Sequence, residues 1–434
     1  MRYAIMLLAC MTLATGCSIK TGGSESDQQA MSGVGKIDGA FLTTGGDGSD
    51  WAATGYNYQE QRFSPLSLIN ASNVGNLGLA WSADLPDARG MEATPIVIDG
   101  KLFVTGPWSK VFAYDAVTGT PLWTYDPQID KAKGVEACCD VVNRGVAAWK
   151  GRLYLGTIDG RLIALDATTG KPDWSVQTTD NSKPYTITGA PRVVKDMVLI
   201  GNGGAEFGVR GYVTAYDATT GKKKWRFYTV PNPTGAKDGE PSDAVLASKA
   251  AGTWSANGVW KQSGGGGTVW DAIVYDAELD QLYIGVGNGN PWNHGLRSEG
   301  QGDNLFLSSI VALKPETGEY LWHYQETPAE TWDFTATQPI ILATIPFGGK
   351  PTKVLMQAPK NGFFFVIDRA TGKPIAANKF IKTVNWADKY DTNWRPVETA
   401  AARYYRTNQP FVGIPSALAA HNWQPMSFSP KTGL

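Results

Sequence analysis

Apolar and polar positions alternate along most of the chain in short runs of about four to six residues, the length of strands rather than helices. Residues 146–170 show the pattern most clearly. Val146-Ala147-Ala148-Trp149 gives way to Lys150-Gly151. Arg152-Leu153-Tyr154-Leu155 runs on to Asp159-Gly160, and Arg161-Leu162-Ile163-Ala164 to Thr169-Gly170. Each Gly-containing pair is a turn signal, so the stretch predicts four short strands joined by hairpins.

The last of these turns recurs. AYDATTGKKKW at 215–225 has copies at 113–123 (AYDAVTGTPLW), 164–174 (ALDATTGKPDW), 312–322 (ALKPETGEYLW) and 366–376 (VIDRATGKPIA), with a weaker one at 274–280 (VYDAELD). A period of about 50 residues carrying four strands predicts an all-β propeller. In each copy the Asp and Thr can close the turn through side-chain hydrogen bonds to backbone, and the Gly supplies positive φ. The Trp four residues later is expected to pack between neighbouring units. A final copy, FSPKTGL at 428–434, breaks off after its Thr-Gly, so the sequence is expected to be a C-terminally truncated piece of a longer protein.

Composition changes this picture little. The 50 Gly and 25 Pro suit many turns, and 42% hydrophobic residues suffice for a large core. A net charge of −1 gives no electrostatic case for nucleic acid. Three scattered His, and no Cys-x-x-Cys-His, argue against a zinc site or an attached c-type haem in these residues. Residues 1–17 predict an export signal and hence a periplasmic protein: Arg2, then apolar Ala4 to Ala14, then small residues. Two endings are open, lipid attachment at Cys17 or ordinary cleavage near Gly16. Residues 18–50, rich in Gly, Ser, Asp and Thr, predict a flexible tether, and 51–434 the propeller.

Chemistry is expected where a repeat carries what the others lack. Cys138 and Cys139 are adjacent, in a compartment expected to be oxidising, and Arg144 after them could grip a carboxylate. Gly201 to Gly208 sets Glu206 in a Gly-rich loop. Gly264 to Gly267 leads to Thr268 and Trp270, a flat ring for an aromatic ligand. Asn288 and Asp303 add two more oxygen donors, and an all-oxygen set suits a hard ion such as calcium.

These segments resemble the pyrroloquinoline quinone (PQQ)-dependent alcohol dehydrogenases, the quinoprotein methanol and ethanol dehydrogenase family. The motifs are the Cys-Cys pair, GGAEFGVRG, GGGGTVW, GNGNPWN, QGDN, Ala358-Pro359-Lys360-Asn361-Gly362 and His421-Asn422-Trp423-Gln424-Pro425-Met426. The resemblance implies an eight-bladed propeller, of which this chain would supply about six blades. It implies a vicinal disulfide at Cys138–Cys139 on one face of the quinone and Trp270 on the other. Glu92, Arg144, Thr188, Gly203, Gly204, Ala205, Thr268, Asn422 and Trp423 would contact the cofactor, and Lys360 would stand near its reactive oxygens. Glu206, Asn288 and Asp303 would hold Ca2+, with Asp303 also the base that deprotonates the alcohol. Lanthanide-using members carry an extra Asp two positions after that base; Leu305 stands there and favours calcium. Short primary alcohols would be oxidised to aldehydes, with electrons passed to a cytochrome c. A non-catalytic envelope lipoprotein scaffold and a propeller hydrolase are the rival readings. Neither explains the Cys pair together with Asp303 and Lys360.

Overall fold

A computed structural model describes residues 33–434. The expected export signal, Cys17 and residues 18–32 of the expected tether lie outside the described residues.

The strands fall where the alternation places them. Ile96–Ile98, Lys101–Thr105, Val111–Asp115 and Pro121–Tyr125 (β1–β4) form one antiparallel sheet. Ala147–Trp149, Arg152–Gly156, Arg161–Asp166 and Pro172–Gln177 (β5–β8) form the next. Then come Arg192–Val194, Met197–Gly201, Tyr212–Asp217 and Lys223–Tyr228 (β9–β12), and Ile273–Asp276, Gln281–Gly285, Ser309–Leu313 and Tyr320–Gln325 (β13–β16). Ile340–Phe347, Lys350–Gln357, Phe363–Asp368 and Pro374–Lys379 (β17–β20) complete a fifth. Ala387–Tyr390 and Pro396–Glu398 (β21, β22) pair as a two-stranded ladder. Among the described residues there are thus five four-stranded sheets and one smaller ladder, where about six blades were expected.

Within each sheet the strands lie in chain order, and the first strands β5, β9, β13 and β17 contact one another in succession. Middle strands such as β10 and β15 are buried along their whole length, because neighbouring sheets cover both faces. Outermost strands such as β4 and β8 are exposed at alternate positions. This is the sheet arrangement of a propeller.

The repeated turn does two jobs. Asp217 Oδ1 accepts from the backbone N–H of Thr219 (3.1 Å) and Thr220 (2.9 Å) and from the Thr220 hydroxyl (2.9 Å). Asp115, Asp166 and Asp368 repeat the pattern. The following Gly is left-handed, φ +69° at Gly221, and it also lies beneath the Trp of the preceding sheet. A Cβ at Gly221 would meet Trp174 at 2.9 Å, and one at Gly372 would meet Trp322 at 2.3 Å. Trp123 Nε1 donates to Ala167 O (3.2 Å) and Trp174 Nε1 to Ala218 O (3.2 Å), so each Trp locks onto the turn of the next unit. The weak copy at 274–280 closes the β13–β14 hairpin instead, with Asp276 capping Glu278 N and Leu279 N.

One expectation needs correcting. Residues 33–50 are not a tether. Asp38 caps the short helix Gly39–Thr44, and Ile37 and Leu42 are buried in the cluster that holds Trp149 and Leu153. Lys36 pairs with Asp50 at 2.5 Å, and Asp50 accepts from Asp99 N at 2.7 Å. The polar composition hid a few apolar residues at the spacing that docks them. No helix among the described residues is long and apolar enough to cross a membrane.

Candidate active site

The loops that interrupt the repeat converge on a cavity of about 460 Å³, within the range that holds a drug-sized ligand. The insertion after β4 brings Cys138 and Cys139, both exposed, with their sulfurs 2.8 Å apart. That is contact between two thiols, longer than the ~2.05 Å of a bonded pair. The hydrogen bond with Cys138 and the Arg144 cation favour the thiolate form of Cys139, against burial.

Another wall comes from Thr268 and Trp270, reached through Gly264 to Gly267. All four glycines have positive φ, between +74° and +82°. Their close approach is to the protein's own backbone. A Cβ at Gly266 would sit 2.6 Å from Asn288 O, and Gly267 N donates to that oxygen at 2.8 Å. The run therefore draws the Trp270 loop against the Asn288 loop.

Arg144 organises one end. Its guanidinium meets Glu92 Oε2 at 2.5 Å, donates to Thr188 Oγ1 at 2.6 Å and lies 4.9 Å from the Trp270 ring centroid. Burial pushes the Glu92 carboxyl up, and Arg144 pulls it back. The buried Arg144 Nε has no partner.

The opposite end holds oxygen. Gly203 pairs with Thr186 across an isolated bridge, and Gly204 at φ +102° turns the chain into Ala205–Phe207. Glu206 then faces the cavity and accepts from Asn288 Nδ2 at 2.9 Å. Lys360, on the loop between β18 and β19, donates to Asp333 Oδ2 at 2.8 Å; the two side chains are 9% and 11% exposed. Burial pushes the Asp333 carboxyl up to about 8, against the pull of Lys360 and with repulsion from Glu206 and Glu330. Asp333 also sits at φ +64°, an uncommon conformation for a non-Gly residue.

The structure gathers most of the expected residues. Glu92, Cys138, Cys139, Arg144, Thr188, Gly203, Gly204, Glu206, Thr268, Trp270, Asn288, Lys360, Asn422 and Trp423 all line the cavity. Ala205 lies buried beside it without lining it. Asp303 is misplaced by the sequence reading. It does not line the cavity, its side chain is 35% exposed, and Arg395 engages both its oxygens at 2.8 and 2.9 Å. The carboxylate in the expected place is Asp333, which that reading missed. Asp303 sits in Gly302-Asp303-Asn304, which is ordinary turn chemistry. Asp333 sits between Trp332 and Phe334 with no turn partner, an acid flanked by two aromatic residues, and that was the available signal. Trp292, Thr335 and Leu418 also line the cavity unforeseen.

Comparison with known proteins places this geometry. A family described as PQQ glucose/ethanol/alcohol dehydrogenase, beta-propeller domain, matches residues 51–383. The chain is 57% identical over 402 residues to a quinohemoprotein alcohol dehydrogenase, ADH IIB, of Pseudomonas putida, covering 92% of this chain and 57% of that protein. It is 52% identical to the quinohemoprotein alcohol dehydrogenase of Comamonas testosteroni, over 100% of this chain and 60% of that one. The crystal structure of the Comamonas protein superposes with a TM-score of 0.89 at 53% identity, covering 95% of this chain and 61% of that chain. A europium-containing methanol dehydrogenase superposes with a TM-score of 0.82 at 37% identity, covering 91% and 69%. The chain thus spans a little over half the length of the curated relatives it matches. Its sequence, its sheets and its cavity agree: it belongs to the PQQ glucose/ethanol/alcohol dehydrogenase β-propeller family.

Proposed function

We propose that this chain forms the alcohol-oxidising site of a quinoprotein dehydrogenase, acting on short primary alcohols with calcium-bound PQQ as acceptor. The observation that carries the reading is one cavity with the buried Asp333–Lys360 pair facing Glu206–Asn288 and with Trp270 and the paired cysteines in its walls.

The residues fit the group. Trp270 offers a flat apolar surface, and Arg144 lines the cavity with a positive charge suited to a carboxylated ligand. Glu206, Asn288 and Asp333 supply only oxygen donors of the kind a hard cation takes. Among the described residues no three His, Cys, Asp or Glu side chains cluster closely enough to hold a metal alone. The rest of a calcium shell would come from the ligand. Thr335, two positions after Asp333, carries no carboxylate, so the preference for calcium drawn from Leu305 now rests on Thr335. Oxidation of the cysteine pair to a vicinal disulfide, and closure into eight blades, belong to the same proposal.

When bound, the quinone supplies a two-electron acceptor and the cation a Lewis acid. The chain's own residues do the remainder. Asp333, ionised, takes the hydroxyl proton of the alcohol at its carboxylate. Lys360 holds that carboxylate in place and adds positive charge where negative charge develops. Arg144 and Thr188 orient the ligand, and Trp270 with the cysteines excludes water from it.

The relative named 1-butanol dehydrogenase (cytochrome c), from Thauera butanivorans, is 50% identical over 400 residues, covering 89% of this chain and 55% of that protein. Its name supports a cytochrome c as electron acceptor here. A periplasmic location, with or without a lipid on Cys17, rests on residues 1–17 alone. A scaffold role leaves the buried Asp333–Lys360 pair without a purpose and is not favoured. The test is dye-linked oxidation of ethanol and 1-butanol by the protein, with PQQ and calcium added or withheld. Turnover that needs both supports the reading; oxidation independent of PQQ would end it.

A further inference from the structure

Asn288 stands on the loop between β14 and β15, and Asp333, about 45 residues later, on the segment that joins β16 to β17 of the next sheet. Something must fix their separation, because a site that orients reacting atoms tolerates little slack. The fully buried Glu330 does so. Its Oε1 accepts from Trp332 N (2.5 Å) and Phe334 N (3.0 Å), the two amides flanking Asp333. Its Oε2 accepts from Gly289 N (3.3 Å), the amide that follows Asn288.

Behind it stands Arg297, also fully buried. Arg297 donates to Pro291 O (2.8 Å) and Trp292 O (2.9 Å) on the Asn288 loop. It also donates to Glu330 O on the Asp333 loop, and to Asn304 Oδ1 at 2.9 Å. The joint is tight: a Cβ at Gly289 would lie 2.5 Å from the Arg297 guanidinium carbon. Neither charge lines the cavity. Buried polar groups are costly unless hydrogen-bonded, and here the hydrogen bonds of both side chains span the two loops that carry the chemistry.

We propose that Glu330, braced by Arg297, is a positioning residue that sets the gap between Asn288 and Asp333 and so tunes cation binding and proton abstraction together. This rests on the proposed function for its consequence but on the hydrogen bonds alone for its geometry. It also accounts for Asp333 being held at positive φ, since the Glu330 carboxylate clamps the amides on either side of it.

The test uses Glu330→Gln, which keeps volume and one acceptor oxygen but turns an amide N–H toward a backbone donor. Hydrogen exchange at Gly289, Trp332 and Phe334 in the cofactor-free chain is the first readout. Faster exchange confined to those two loops is expected, with the rest of the β13–β16 sheet unchanged. The second readout is calcium titration in the presence of PQQ, where affinity should fall about 10–100-fold. In turnover kcat should fall more than KM rises. Glu330→Asp, which keeps the charge but shortens the reach, should recover one loop's protection and not the other's. Exchange raised across the whole sheet, with calcium affinity unchanged in the folded fraction, would show Glu330 to be mere core support and overturn the proposal. A wild-type chain with the expected exchange pattern but no PQQ or calcium binding would instead sink the functional reading.

Discussion

Replacing Lys360 by Met tests the reading of Asp333 as the base. Lys360 Nζ lies 2.8 Å from Asp333 Oδ2, with both side chains nearly buried. At an effective dielectric of about 20, opposite charges a few ångströms apart attract by roughly 4 kcal/mol. One pKa unit corresponds to about 1.36 kcal/mol, so losing the cation is worth about 2–3 units on Asp333. The direction follows from which form Lys360 favours. It stabilises the carboxylate, so its removal raises a pKa already pushed to about 8 by burial. A base must be ionised to act, so activity rises with pH through the pKa of Asp333. Bound calcium favours the carboxylate in both proteins, so the comparison is relative: the acid limb of kcat/KM should lie about 2–3 pH units higher in Lys360→Met than in the wild type, with the loss deepest on the acid side and partly restored by alkali. The assay is a pH series of dye-linked alcohol oxidation with PQQ and calcium saturating in both proteins. A loss of the same factor at every pH, with the limb unmoved, would refute the claim that Lys360 acts through Asp333 ionisation.

Asp333→Asn should cut kcat by about 1000-fold or more, while Asp303→Asn, which breaks only the exposed pair with Arg395, should change it less than about twofold; steady-state kinetics on both variants decide between the two carboxylates. Thiol labelling of the purified protein without reductant should find Cys138 and Cys139 unreactive if they form the proposed vicinal disulfide, and reduction should weaken PQQ binding, read by Trp fluorescence. Restoring the metal-stripped enzyme should work with calcium and fail with lanthanum alone, since Thr335 adds no carboxylate. Gly372→Ala places a Cβ 2.3 Å from the Trp322 ring at φ +74° and should cost about 2–4 kcal/mol in denaturant unfolding, whereas Gly151→Ala, at φ +88° with nothing within 4 Å, should cost about 1–2 kcal/mol from backbone strain alone.

The propeller was legible because it is written several times over. The Asp, Thr, Gly and Trp of the repeated turn serve one local device, so reading any one copy reveals the others, and the Trp-on-Gly contact between neighbouring sheets explains why the spacing is kept. Residues 33–50 were misread for the opposite reason. Ile37 and Leu42 occur once, in a polar setting, and only the tertiary contacts with Trp149 and Leu153 give them meaning. The cavity walls were found because each rests on an unusual local signal, adjacent cysteines or a run of four glycines. What those glycines approach was not legible: Gly266 meets the Asn288 backbone across the fold and not a ligand.

The exchange of Asp303 for Asp333 shows where such reasoning breaks down. An Asp beside Gly and Asn satisfies local rules, and a residue that satisfies local rules has no need of a function. Asp333 breaks them: it is an acid among aromatics, buried, at positive φ, with its carboxyl pushed toward the protonated form. A position so unfavourable by itself persists only if its surroundings impose it. Here they do so through Lys360 on its side chain and Glu330 on its flanking amides. In a fold made of interchangeable units, the residue that fits its own segment worst, and is held there by groups from elsewhere, is the better candidate for chemistry than the residue that merely carries the right functional group.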